Sequence, residues 1–260
     1  METRKTKTAR IGLYSAGLKA YWPQFEGLRE RLEGYNGFIE NRLGLWGEVF
    51  NFGLVDDETK AREAGEYFNA NNVDILFAHS ATYFTSSCVL PIHQICGALT
   101  VMLNLQPGAQ MNYGETSTGE WLAFCVGCPV PEASNAFERA GIPLHYVNGL
   151  LGLDVTPIMS KADENTAHRP EAQRAWRKIE QWALAAGAVR SLKSSRFGFL
   201  GNCYSGMLDM YSDFAMLQSQ AGIHVELLEM CDLDRHLRLV THDEVDDKIR
   251  EVERFFQISG

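Results

Sequence analysis

The sequence predicts an α/β protein: a parallel sheet wound in both directions, followed by the first part of a second α/β domain. Three observations predict it. Short apolar runs of strand length alternate with longer amphipathic stretches of helix length. One of the runs, VDILFAH at 73–79, is apolar almost throughout, as a strand covered on both faces must be. The alternation breaks off in a polar stretch at 155–172 and resumes at 196.

Each element follows from its residues. RIGLYS at 10–15 reads as a first buried strand. From Pro23 to about Leu45, Phe25, Leu28, Leu32 and Tyr35 fall at helical spacing, and proline just inside the start favours a helix. EVFNFGLV at 48–55 is the second strand, and Asp56 can cap a helix over 57–70 whose Lys60, Arg62 and Glu63 face water. The third strand, 73–79, leads to a helix over 86–97 and a fourth strand, LTVMLNL at 99–105, which Pro107 stops. Two helical pieces within 118–141 are separated by Pro129 and Pro131, and PLHYVN at 143–148 is a fifth strand. Parallel strands need such crossovers, and crossovers are right-handed, so a three-layer doubly wound sheet of the Rossmann/flavodoxin-like kind results.

The stretch 155–172 reads as an exposed loop. A helix over 170–186 carries Trp176, Ile179 and Trp182 on one face; strands follow at 196–201 and 223–229, with helices at 205–221 and 243–256. We therefore expect a first domain over 1–190 and an incomplete second one over 191–260. Two strands bury too little to stand alone, so this second part is expected to be truncated at Gly260 or to borrow surface from a partner.

Composition narrows the function. The 260 residues carry a formal charge of −9, which disfavours nucleic acid as a partner. No apolar run reaches the roughly 18 residues of a membrane span, and the basic N-terminal run precedes no signal-peptide core. The expected location is the cytoplasm, where six cysteines read as reduced thiols.

In open parallel sheets ligands bind beyond the carboxyl ends of the strands. After the first strand, SAGLKAYWPQ offers Gly17 for a turn, with Tyr21 and Trp22 to stack on a sugar ring or simply to cover a helix end. It holds no G-x-G-x-x-G, so a dinucleotide gets little support. After the third strand, His79 precedes Ser80, Thr82 and Tyr83; histidine at a strand end is structural or functional, and the hydroxyls suit a polyol. After the fourth, Asn104 and Gln106 offer amides that both donate and accept, as sugar hydroxyls do, or that cap the turn before Pro107. Cys125-Val126-Gly127-Cys128 is a single C-x-x-C with no second pair for zinc; redox chemistry is conceivable. In the second domain Gly201-Asn202-Cys203-Tyr204-Ser205-Gly206 can present amides to an anion but lacks the ending of a P-loop. Glu226, Glu229, His236 and His242 match no ligand spacing and read as solvated charge.

Several segments together carry a resemblance. GLVDDETKAREAGEYFNANNVDILFAHSATY, VMLNLQPGAQMNY, TGEWLAFCVGCPVPEASNAFERAGIP and RFGFLGNCYSGMLDMYSD, in this order and spacing, resemble the L-arabinose isomerase and arabinose isomerase-like family of the fucose/arabinose isomerase fold group. The resemblance runs from about residue 10 to 260 and is closer to the isomerase-like branch than to the arabinose enzymes. It implies the N-terminal domain and the first half of a central one, in a protein about twice this length. It implies a sugar substrate, aldose–ketose interconversion through an enediol, and a homo-oligomer (trimer or hexamer) with active sites shared between subunits. It also implies manganese, held by two glutamates and two histidines that would lie beyond Gly260. No catalytic or metal-ligand role therefore falls on this chain. The implied substrate contacts are Gln106, Tyr21, Tyr83 and Tyr204, with His79 beside them; the family's Gln-His-Leu-Tyr pattern is absent near Leu18 and Tyr21. A non-catalytic sugar-binding or interaction module is the competing expectation.

Overall fold

The computed structural model describes residues 8–154, 164–201 and 203–256. Most of the stretch expected as a loop, 155–163, and the last residues, 257–260, lie outside the described residues. The chain divides into two compact units, one ending at Ser191 and the other beginning at Leu192.

The first unit is the predicted doubly wound sheet. Strands β1 (Ala9–Ala16), β2 (Gly47–Val55), β3 (Ile75–Ser80), β4 (Leu99–Gln106) and β5 (Leu144–Leu150) are parallel and lie in the order β2-β1-β3-β4-β5. Every residue of β3 is buried, which is why its sequence does not alternate. Side chains on one face (Ile11, Leu13, Phe77, Val101) pack with Leu32, Tyr35 and Ile39 of α1 (Leu28–Leu43) and with Trp176 and Ile179 of α6 (Pro170–Lys193). On the other face, Tyr14, Leu76 and Met102 pack with Phe68 of α2 (Glu58–Ala70), Ile92 of α3 (Leu90–Ile95) and Phe137 of α5 (Val130–Arg139). A shorter helix, α4 (Thr118–Leu122), opens on a capping box between Ser117 and Glu120. The chain leaves β1 through α1 toward β2 and returns through α2 to β3. The strand order thus reverses between β1 and β3, where ligands of such sheets collect.

Two local departures have clear causes. The helix expected from Pro23 begins only at Leu28, because Gly27 sits at φ 77 in left-handed backbone that no helix continues through. Residues 19–21 form a separate 3₁₀ turn instead. The cap of α2 is Asp57, whose carboxylate accepts from the Lys60 amide at 3.0 Å, and not Asp56. Asp56 is buried, pairs with Lys60 Nζ at 2.8 Å and accepts from Trp22 Nε1 at 2.5 Å. It thereby clamps the loop after β1 onto the end of β2.

The second unit is a two-stranded parallel sheet, β6 (Arg196–Leu200) and β7 (His224–Leu228), with α7 (Phe214–Ala221), α8 (Met230–Leu237) and α9 (His242–Glu253). The helix expected over 205–221 is reduced to a 3₁₀ turn at Leu208–Met210 and to α7, which Asp213 caps; α8 was not expected. None of α7, α8 or α9 holds a buried residue, and Leu237 and Leu239 are 62% and 70% exposed. Parallel strands otherwise occur with both faces covered. We expect the amides of β6 and β7 to exchange within minutes while those of β1, β3 and β4 stay protected longest. Protection of β6 and β7 equal to that of β3, in hydrogen exchange read by mass spectrometry, would contradict this.

Candidate functional site

The site is built at the carboxyl ends of β1, β3 and β4. Two hydroxyls of the β3 end hold a cover in place: Ser80 Oγ donates to the carbonyl of Val126 at 2.5 Å and Thr82 Oγ1 to that of Leu122 at 2.7 Å. Residues 122–128 are thereby held at the carboxyl end of β3, and Gly127 brings its backbone beside the Asn104 amide, which a Cβ there would meet at 3.7 Å. Residue 119 is a glycine beside Phe25, so α4 also lies close to the loop after β1.

Two of the aromatic candidates, Tyr21 and Tyr83, follow the ends of β1 and β3. Tyr21 closes the 3₁₀ turn after β1 and is partly buried, edge-on to Phe25 at 5.8 Å. Its phenol is raised above the ordinary tyrosine range by burial first, then by Cys125, Tyr83 and Cys128 as neighbours. Tyr83, also partly buried, follows β3, so the two tyrosines come after the strands between which the order reverses. Tyr204 lies in the second unit, in the loop after β6, and is 69% exposed.

The amides lie on β4. Asn104 and Gln106 are two residues apart on a strand and so share a face. Asn104 Nδ2 donates to Asn148 Oδ1 of β5 at 2.9 Å, and the Gln106 carbonyl accepts from the Leu151 amide at 2.8 Å. Among the described residues, the side-chain oxygens of both Asn104 and Gln106 are buried and accept no hydrogen bond. A buried acceptor left unpaired costs about 1–3 kcal/mol. Next to them the loop after β4 is held by Glu164, which accepts from the Ala109 amide at 3.1 Å and pairs with Arg169. Thr166 Oγ1 and Arg169 Nε are buried without a partner among the described residues.

His79 is placed differently. Its ring is 1% exposed and its Nδ1 lies 2.9 Å from Ser15 Oγ. Asn36 Nδ2 donates to the same hydroxyl at 2.9 Å, and Asn51 Nδ2 donates to Asn36 Oδ1 at 2.6 Å and Glu40 Oε2 at 2.7 Å. Burial pushes the imidazole down to about 3, so it is neutral at pH 7. His79 thus belongs to a buried relay tying β3 to β1, α1 and β2. The relay partners Asn36 and Asn51 carry no local sequence signal; the spacing of Asn104 and Gln106 does. Among the described residues, no three His, Cys, Asp or Glu side chains are grouped so as to hold an ion.

Fold and site together define an open parallel α/β protein with aromatic and amide side chains at the carboxyl ends of β1, β3 and β4. No family model matches the chain, and no curated protein does. Among solved structures, one similar chain is a substrate-binding protein with adhesive properties from Clostridium difficile, in a ligand-free, open form. The identity is 8% and the TM-score 0.25, over 94% of this chain and 62% of that one. Among the described residues, no helix is long and apolar enough to cross a membrane.

Proposed function

We propose that the first unit binds a sugar or related polyol at the carboxyl ends of β1, β3 and β4, as the substrate-contact part of an aldose–ketose isomerase resembling the L-arabinose isomerases. The observation that carries this reading is the pair of buried amide oxygens on Asn104 and Gln106 that have no partner among the described residues. A polyol supplies the missing donors at hydroxyl spacing, and its ring or chain lies against Tyr21 and Tyr83. The resemblance in segment order adds the isomerase and the shared, oligomeric active site, and it assigns the base and the metal ligands to none of these residues.

The test is ligand-observed NMR and calorimetry with L-arabinose, L-ribulose and L-arabitol on the purified chain. Binding is expected to be weak, and Gln106→Leu is expected to weaken it about five- to tenfold, the loss of one neutral hydrogen bond. Binding that Gln106→Leu leaves unchanged would remove Gln106 from the site, and no binding of any of the three would remove the polyol. Isomerisation of an aldose at an enzymatic rate by this chain with manganese would overturn the view that it contributes contact and not chemistry.

A further inference from the structure

The C-x-x-C of the cover is not used by the polyol reading. Residues 123–129 are a continuous run of turns and bends between α4 and α5, and Cys125 and Cys128 stand three residues apart within it. Both are free thiols, Cys125 buried and Cys128 exposed. Burial, and Cys128 after it, raises the Cys125 thiol above its ordinary range. The segment that carries them is pinned at Val126 by Ser80 and at Leu122 by Thr82, so its backbone is held against the end of β3.

We propose that Cys125 and Cys128 form a reversible dithiol–disulfide pair that reacts with low-molecular-weight disulfides at the mouth of the switch-point site. Cys128 is the sulfur an oxidant can reach. Its thiolate attacks one sulfur of R–S–S–R, the S–S bond breaks, and the departing thiolate takes up a proton as RSH. Cys125 then loses its proton and attacks Cys128 Sγ in the mixed disulfide, releasing a second RSH. Two electrons pass from the pair to the reagent, and two protons end on the two thiols released. The buried, protonated Cys125 is the slow, resolving partner, so the mixed disulfide on Cys128 precedes the closed form. The pair is independent of what the site binds, because its readout is the state of the sulfur.

The experiment uses glutathione disulfide on the full chain, with peptide mapping by mass spectrometry. We expect loss of two hydrogens and a peptide linked between Cys125 and Cys128, restored by dithiothreitol. In a Cys203→Ser/Cys231→Ser background, which removes the other accessible thiols, adding Cys125→Ser stops the reaction at one glutathione on Cys128. Adding Cys128→Ser instead leaves Cys125 unmodified. A native chain whose Cys125 and Cys128 remain reduced under glutathione disulfide, or a Cys128→Ser chain in which Cys125 takes the glutathione, overturns the proposal. Mapping of the native chain needs no variant, so a misfolded substitution does not rescue it.

Discussion

Trp176→Ala is expected to lower the stability of the first unit by about 4–8 kcal/mol. Trp176 projects from α6 onto the sheet face and is 4% exposed. Its indole packs against Phe38 and Trp46, both at 6.2 Å, and the Arg42 guanidinium lies 4.2 Å above it. Its Nε1 donates to the Leu151 carbonyl at 2.8 Å, just past the end of β5. Truncating a buried aromatic to alanine costs about 3–5 kcal/mol through lost transfer energy and the cavity left behind. The orphaned Leu151 carbonyl adds about 1–3 kcal/mol. Against a total of about 5–15 kcal/mol for a domain, that loss unfolds the unit in mild denaturant. Trp176→Phe keeps the aromatic contacts and loses the donor, so about 1–3 kcal/mol is expected of it. Urea midpoints with unchanged slopes check both values; a shift below about 1 kcal/mol for Trp176→Ala would mean that α6 is not held to the sheet by this residue.

The sheet is legible in the sequence because burial on both faces writes itself as short apolar runs. The strands of the first unit are readable from runs such as 73–79 and 99–105, and the crossovers between them require parallel pairing; the strand order comes from the structure. What escaped reading depends on backbone sign or on distant partners. Gly27 delays α1 by adopting a left-handed conformation, which composition alone does not announce. Asp56 and Asp57 are equal candidates as a cap until Trp22, thirty-four residues earlier, claims Asp56. At the site, the face shared by Asn104 and Gln106 follows from the two-residue period, so those amides were readable. His79 was readable only as an ambiguity. Its partner Ser15 lies on the neighbouring strand, at the register position opposite it. The exposed apolar faces of α8 and α9 follow from helical spacing, but spacing says nothing about whether a face is covered.

Stability is expected to fall steeply as the pH drops below about 6.5, before most carboxylates titrate. The cause is a pair of buried neutral histidines. His79 faces Ser15. His93 of α3 has Nε2 2.9 Å from the Tyr14 hydroxyl and Nδ1 2.7 Å from Thr100 Oγ1, with the Phe137 ring 4.8 Å away. A neutral imidazole carries one donor and one acceptor, so His93 satisfies both hydroxyls without a proton. Burial pushes both rings down to about 3, and it holds the Tyr14 phenol neutral as well. In the unfolded chain both histidines bind a proton near pH 6.5. Between about 6.5 and 3 the unfolded state therefore holds two more protons than the folded state, and stability rises with pH across that window. Each histidine contributes a slope of about 1.4 kcal/mol per pH unit, so the pair removes about 4 kcal/mol between pH 6.5 and 5. Above pH 6.5 both forms are neutral and the effect is absent. Below about 3 the folded state takes up the same protons and the loss levels off. Denaturant unfolding from pH 7.5 to 5 reads the slope directly. His79→Gln/His93→Gln is expected to be less stable at pH 7.5, because it disturbs the hydrogen bonds to Ser15, Tyr14 and Thr100, yet nearly flat through the same window. A double variant whose stability falls in parallel with the native chain would place the titrating groups elsewhere.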